Sequence, residues 1–221
     1  APELSEHLDE HALILVLSGE CDFSFDGEWP ALARAKARGK QAACASNLHQ
    51  IGLALRLYAD DNEGLLPTTT HGGATNASWI HQFSDYVGNV DRIRLCPADP
   101  KAEQRVAAKA ASYTQNEYTS VDLTDPFGRP LESFRKLDAL PFPSDTITTF
   151  EISDAAGLSI FNDHTHSRNW TSWSSVTADI QPDRHGTSAN YLFADGHVEN
   201  IQAAKLKARI EAGDNFAKPP K

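Results

Sequence analysis

The sequence contains no methionine and no apolar run long enough to cross a lipid bilayer. Its longest apolar run, residues 12–17, has six residues, whereas a membrane-spanning helix needs about 20. Basic residues are outnumbered, since 20 lysines and arginines accompany 30 acids and the net charge is −10. Proteins that bind nucleic acid carry a basic surface. We therefore expect no nucleic-acid partner, and membrane contact only through a segment that this sequence lacks.

Cysteine is also scarce, and the motifs of several enzyme classes are missing. The three cysteines are Cys21, Cys44 and Cys96, so at least one thiol is unpaired, and the sequence does not select a disulfide pair. Because Cys44 and Cys96 have apolar neighbours, we interpret both as small hydrophobic side chains packed in a core. The sequence has no nucleophile elbow, no glycine-rich phosphate loop and no HExxH helix. We therefore assign no catalytic residue.

The longest regular pattern covers residues 31–64 and predicts one amphipathic helix. Apolar side chains at steps of three and four residues share one face of its second half. These side chains are Leu48, Ile51, Leu55 and Tyr58. The first half has only small apolar residues and a basic cluster, which we interpret as a solvated face, the alternative being a site for phosphate or for a membrane surface. The basic residues are Arg34, Lys36, Arg38 and Lys40. We expect the second half to dock on a domain, and the first half to project or to meet another surface.

Strand patterns are concentrated late in the chain. Residues 146–152 are β-branched and aromatic, which is typical of a strand. Residues 189–194 and 197–201 flank Asp195-Gly196, a strong signal for a hairpin turn. Other predicted elements are a β-hairpin within residues 1–30, a short helix at 79–87, a turn of helix within 131–137, a long polar loop at 153–183 and a helix at 203–212. A long helix followed by antiparallel strands predicts an α+β fold with the helix packed on the sheet.

Three stretches, in this order, resemble one protein family. Residues 31–67 are similar to the helix and following turn of bacterial prepilin-like proteins, the pseudopilins of type II secretion. Residues 94–100, RLCPADP, resemble a mid-chain segment of the same proteins. Residues 184–201 resemble the C-terminal motif of a pseudopilin-like group of planctomycetes and verrucomicrobia. In that motif nine residues separate a histidine from Asp-Gly, here His185 from Asp195-Gly196. The resemblance covers about residues 30–215.

The resemblance implies a pilin-like α+β domain at residues 31–221, with long loops. Family members carry a hydrophobic anchoring helix before this domain. Here residues 1–30 take that place, and a segment this acidic does not insert into a bilayer. The implied function is a structural subunit or tip component of a pseudopilin or type IV pilus-like assembly. The implied partners are other pseudopilin-like subunits or secretion components. The implied location is the periplasmic face of the cell envelope or the extracellular space.

An acidic run supplies the first candidate metal site. It consists of Asp60, Asp61, Asn62 and Glu63. Calcium prefers six to eight oxygen ligands, and the resemblance favours calcium because major pseudopilins use it to order a C-terminal loop. The alternative is a solvated acidic turn, since the spacing of a full EF-hand loop is missing. Further candidate carboxylates are those of Asp154, Asp163 and Asp179.

The predicted hairpin supplies a second candidate site, formed by the motif residues His185, Asp195, Gly196 and His197. Two imidazoles and a carboxylate suit zinc or another transition metal, or acid–base chemistry. In the alternative interpretation, Asp195 hydrogen-bonds the turn amides, His185 pairs with a carbonyl or carboxylate, and His197 points to solvent. Glu151 is predicted to be buried, and it lacks the second carboxylate that a catalytic pair requires.

The predicted loop at 153–183 supplies a third candidate site. Its candidate binding residues are His164, His166, Trp170 and Trp173. Exposed aromatic rings of this kind stack on sugar rings or on protein partners. The alternative is a loop folded over the core, with the tryptophans buried beneath it.

These patterns leave three hypotheses about function. The first is a structural subunit of a pilus-like assembly. The second is a secreted pilin-like module whose 153–183 loop binds a polysaccharide or a protein. The third is a metal-dependent enzyme that acts on a polysaccharide through His185 and His197. The resemblance favours the first hypothesis.

Overall fold

The computed structural model describes residues 30–70, 78–87 and 90–221. The predicted N-terminal hairpin and Cys21 lie outside these residues. Helix α1 spans Pro30–Asp61 and has 32 residues, which confirms the predicted long helix. It ends where Glu63 and Gly64 adopt left-handed backbone conformations, with φ angles of 56° and 79°, as glycine does readily.

The main sheet is antiparallel, with four strands in the order β1-β4-β5-β6. Strand β1 (Tyr113–Gln115) pairs with β4 (Ile147–Glu151), which pairs with β5 (Ser188–Phe193). Strands β5 and β6 (Val198–Gln202) form the predicted hairpin. The predicted α+β class is therefore confirmed.

The remaining elements are short. Strands β2 (Leu123–Thr124) and β3 (Pro130–Glu132) form a separate two-stranded sheet. The short helices are α2 (Val90–Ile93), α3 (Ala102–Ala107), α4 (Glu117–Ser120), α5 (Trp173–Asp179) and α6 (Ala203–Glu211). Single 3₁₀ turns occupy Trp79–His81, Ser84–Tyr86, Leu137–Ala139, Pro143–Asp145 and Ser167–Asn169.

Three local predictions differ from the structure. The helix predicted at 79–87 is two separate 3₁₀ turns. The turn of helix predicted near 131–137 is a 3₁₀ turn that begins only at Leu137. The start of that segment lies in strand β3, where Pro130 is tolerated because each strand of a two-stranded sheet has a free edge. The predicted loop at 153–183 contains helix α5. Ser172 and Ser175 form a capping box at its start, which stabilises the helix end.

Both faces of the main sheet are covered. The buried face of α1 packs on one side, against Leu192 of β5 and Tyr113 of β1. On the other side, Tyr191 and Phe193 of β5 belong to a second apolar cluster with α5, α6 and Phe216. All six residues of β5 are buried, as expected for a strand between two packed layers.

Only the second half of α1 takes part in this packing. Leu48, Ile51 and Leu55 are buried and Tyr58 is partly buried, which confirms the predicted apolar face. The first buried residue of the helix is Cys44, and no side chain between residues 30 and 43 is buried. This uncovered part is about 20 Å long at 1.5 Å per residue. Within the described ranges, no helix has both the length and the apolarity needed to cross a membrane.

Candidate functional site

A disulfide bond lies between α1 and the sheet. It joins Cys44 of α1 to Cys96, 52 residues later in the chain, with 5.0 Å between their Cα atoms. Both residues are fully buried. The interpretation as packed side chains was therefore right about burial and wrong about chemistry, because the two sulfurs are bonded to each other.

Two buried ionisable side chains lie beside this disulfide. Glu151 is the last residue of β4, and His185 lies three residues before β5. The His185 Nε2 atom is 3.0 Å from Glu151 Oε1, and the backbone N–H of Asn190 donates to Glu151 Oε2 over 2.9 Å. The two side chains are 2% and 0% exposed. His185 therefore has a carboxylate partner, Glu151. The sequence had indicated no partner for Glu151.

The four side chains form one cluster. The Cys96 Sγ atom lies 4.0 Å from His185 Nε2, and the ligand atoms of Cys44, Cys96, Glu151 and His185 all lie within 4.8 Å of one another. Among the described residues this is the single group of three or more His, Cys, Asp or Glu side chains close enough to hold a metal ion. Two cysteine thiolates, an imidazole and a carboxylate are donors that suit zinc, and the two sulfurs become thiolates only when the disulfide is reduced.

Of these four side chains, only His185 is a candidate ligand on sequence grounds. A usable signal was present, because Cys44, Cys96 and His185 each lie in a different one of the three stretches that carry the family resemblance. Glu151 had no such signal, since it lies in a strand outside all three stretches.

The surroundings of the cluster are dry. Burial raises the pKa of Tyr113 well above its usual range, and the negative charge of Glu151 raises it further. Burial and the same carboxylate also raise the pKa of Tyr191. Both phenols therefore stay protonated at neutral pH. The Tyr113 hydroxyl lies 3.5 Å from the carbonyl oxygen of Cys44, so it contacts the backbone that carries one sulfur.

The remaining motif residues lie at the other end of strand β5. The Asp195 Oδ1 atom accepts a hydrogen bond from the His197 backbone N–H over 3.1 Å and lies 2.6 Å from His197 Nδ1. Partial burial raises the pKa of Asp195, but these bonds lower it below its usual range. The His197 ring stacks on Phe193, with 4.3 Å between ring centroids. The six residues of β5 separate the two ends by about 20 Å, so His185 and His197 do not share a site.

The acidic run at the end of α1 is engaged in several separate contacts. Asp60 pairs with Arg56 at 3.0 Å, and Asp61 accepts a hydrogen bond from the Tyr86 hydroxyl over 2.8 Å, which raises the pKa of Tyr86. The Asn62 side chain donates to the carbonyl of Tyr58, and Glu63 lies in the left-handed turn. In the described part of the chain, the carboxylates of this run do not form a three-ligand cluster. The calcium site stays a prediction.

The binding residues predicted in the 153–183 segment are divided between core and surface. Trp170 is 3% exposed and donates from Nε1 to Asp179 over 2.8 Å. His164 is also buried, with Nδ1 3.0 Å from Asp163 Oδ1. Of the four predicted binding residues, only His166 is exposed and Trp173 is partly buried.

The other carboxylates of this segment also have protein partners. Asp163 accepts hydrogen bonds from the backbone and hydroxyl of Thr70, and Asp154 pairs with Arg184 at 2.6 Å. These contacts hold the segment against the rest of the domain. The carboxylates of Asp154, Asp163 and Asp179 therefore all have protein partners.

Comparison with protein-family models, curated proteins and solved structures found no significant match. The family resemblance, the function, the partners and the location therefore stay predictions.

The cluster as it stands ties α1 to the rest of the domain. The disulfide bonds α1 covalently to the segment at 94–97, and the pair of Glu151 and His185 connects the ends of β4 and β5 directly beneath it. Such a covalent and hydrogen-bonded junction resists separation of the helix from the sheet.

Proposed function

We propose that this chain is a structural subunit, or a tip component, of a pseudopilin-like envelope assembly. The observation that carries the proposal is the division of α1 into an anchored half and an uncovered half. Cys44 is both the first buried residue of the helix and one end of the disulfide. The helix is therefore fixed to the domain where its uncovered half begins.

The uncovered half has the composition of a contact surface. Residues 30–43 contain six alanines and Leu32, which is 59% exposed. None of the side chains of this half is buried, and most helical stability in proteins comes from packing of one face, so packing against a partner stabilises it. Its charges are all basic, whereas the rest of the chain is acidic. A second copy of the chain thus offers a surface of complementary charge.

The anchored half of α1 also has an exposed apolar edge. Leu53 and Leu57 lie one turn apart and are 63% and 39% exposed. They extend the proposed contact surface along the helix past Cys44. Side-by-side packing of such helices buries these leucines, which favours association of like subunits.

Cross-linking of neighbouring subunits tests the proposal. In a Cys21→Ser background, a benzophenone maleimide is attached at Ala35→Cys on the uncovered half. Ala208→Cys, an exposed alanine on α6, is the matched control. We expect covalent dimers and larger species from position 35 and at most a trace from position 208. Because the contact involves opposite charges, added salt and the double variant Arg34→Glu/Arg38→Glu should reduce the yield.

Two outcomes contradict the proposal. One is an equal yield of cross-linked species from positions 35 and 208. The other is a chain that stays monomeric in sedimentation at the concentrations at which the position-35 probe is irradiated, with no cross-linked product.

A bound calcium ion is a second part of this proposal. It is supported by the four oxygen-bearing side chains of residues 60–63 and by the family resemblance. Thermal melts in chelator and then in excess calcium test it. An ion present at 100 times its dissociation constant stabilises the folded state by about 2.7 kcal/mol. We expect Asp60→Asn/Asp61→Asn to abolish that shift, and an unchanged melting temperature in calcium contradicts this part.

A further inference from the structure

We infer that the reduced form of this protein binds a soft divalent metal ion, such as zinc, through Cys44, Cys96, His185 and Glu151. The disulfide and the metal centre are alternative states of the same four side chains. This inference is independent of the proposed assembly role, because the site lies within one chain.

The two distances from His185 Nε2 to its neighbouring ligand atoms are close to those of a tetrahedral centre. Zinc bonds of 2.0–2.3 Å separate neighbouring ligand atoms by roughly 3.3–3.8 Å. In the structure, His185 Nε2 is 3.0 Å from Glu151 Oε1 and 4.0 Å from Cys96 Sγ. Shifts of a few tenths of an ångström bring these atoms to tetrahedral spacing. The two sulfurs move apart once the bond between them is reduced.

Neighbouring groups already orient the ligands. The backbone N–H of Asn190 occupies Glu151 Oε2, which leaves Oε1 facing His185. The backbone N–H of His185 donates to the Ser188 carbonyl over 2.8 Å, and the Tyr113 hydroxyl contacts the Cys44 carbonyl. Outer contacts of this kind hold ligands in place and strengthen metal binding.

The cluster lies beside a surface cleft. Cys96 and Pro97 line this cleft of about 670 Å³, together with Ala43, Ser46 and Asn47 of α1. Because Cys96 is 0% exposed, a reductant and an ion reach its sulfur only when the cleft wall opens locally.

The change of state requires a dithiol or a phosphine as reductant. A dithiol's thiolate attacks Cys96 Sγ, the bond between the two sulfurs breaks, and the reductant leaves as its own disulfide. The protein gains two electrons and two protons, as two thiols. Metal binding then releases both thiol protons to solvent. The His185 imidazole binds through Nε2 with its proton on Nδ1, so its hydrogen bond to Glu151 is replaced by two bonds to the metal.

Cobalt(II) is the probe for this site, because tetrahedral cobalt with thiolate ligands absorbs strongly in the visible and near-ultraviolet. The Cys21→Ser protein is titrated with cobalt before and after reduction by a phosphine, without oxygen. We expect one cobalt per chain after reduction and none before it, and zinc should bleach the bands. His185→Gln should weaken binding at least about tenfold, while His197→Gln, from the far end of β5, should not.

A second measurement covers the case in which reduction unfolds the chain. Zinc should then restore the native far-ultraviolet circular dichroism of the reduced protein, in the His197→Gln variant as well as the parent, but not in His185→Gln. The inference is overturned if reduced protein gives no thiolate–cobalt band and zinc does not restore the fold. It is also overturned if His185→Gln binds cobalt as tightly as His197→Gln, because the thiols then act without the imidazole.

Discussion

The Nε2 atom of His185 lies 3.0 Å from the Oε1 atom of Glu151, and the two side chains are 2% and 0% exposed. A carboxylate buried to this degree is stable only with hydrogen-bond partners, and Glu151 has a second one in the backbone N–H of Asn190. The pair therefore connects strands β4 and β5 at the point where α1 crosses them.

Removal of this carboxylate should destabilise the fold strongly. Glu151→Ala leaves His185 Nε2 and the Asn190 N–H buried without their acceptor, and each such loss costs about 1–3 kcal/mol. We expect the free energy of unfolding in urea to fall by about 3 kcal/mol. Glu199→Ala, an exposed glutamate on β6, is the control and should change it by less than about 0.5 kcal/mol. Equal effects of the two substitutions would show that the buried pair contributes nothing.

Loss of the disulfide should lower stability by a similar amount. The bond closes a loop of 52 residues, for which the chain-entropy estimate is about 4 kcal/mol. In a Cys21→Ser background, we expect a reductant and the double variant Cys44→Ala/Cys96→Ala each to lower the urea midpoint. The same reductant should not affect the double variant. A parent protein whose midpoint is unchanged by reductant, without added metal, contradicts this prediction.

The buried pair of Asp99 and Arg105 should make stability depend on pH. Their side chains are both 0% exposed and 2.7 Å apart. Burial raises the pKa of Asp99, but hydrogen bonds from Ser112 and the Lys101 N–H, with the charge of Arg105, lower it below its usual range. The pKa is thus lower in the folded state than in the unfolded one. Its stabilisation is complete above the unfolded value, about 3.9, and is lost as pH falls through the folded value.

Asp99→Asn tests this dependence. At neutral pH it leaves Arg105 as a buried charge without its partner, so we expect a loss of about 3–5 kcal/mol. The difference between parent and variant should shrink as the pH falls below 4. Glu211→Gln removes the exposed pair with Lys207 and should cost less than about 1 kcal/mol at any pH. A parent–variant difference that stays constant down to pH 2 would contradict the assignment to Asp99.

The two glycines of α1 should respond in opposite directions to substitution. A β-carbon on Gly52 would lie 2.9 Å from Leu192 Cδ1 and 3.4 Å from Gly196 Cα, whereas one on Gly39 meets nothing within 4 Å. We expect Gly52→Val to destabilise the protein by about 1–3 kcal/mol through overpacking against β5. Gly39→Ala should stabilise it by about 0.5–1 kcal/mol through helix propensity. Thermal melts of both variants provide the test, and a Gly52→Val protein as stable as the parent would rule out the close contact.

The sequence by itself determined the long helix, strand β4, the hairpin of β5 and β6, and the α+β class. Each of these depends on a local pattern, such as apolar residues every three or four positions along α1 or a turn signal at Asp195-Gly196. Local patterns act between residues that are neighbours in the chain. For this reason they predicted the helix and strands with small errors at their ends, and they missed α5, which lies in a segment predicted as a polar loop.

Only the tertiary structure decided which distant residues meet. The partners Cys44 and Cys96 are 52 residues apart in sequence, and Glu151 and His185 are 34 apart. No local periodicity relates such pairs. Cys44 meets Cys96 through the packing of α1, and Glu151 meets His185 through the pairing of β4 with β5. Packing on the opposite face of the sheet buries Trp170, and the length of β5 separates His185 from His197. The disulfide and the proposed metal site therefore depend on the layer between helix and sheet. There, residues from all three stretches that resemble the pseudopilin family come together.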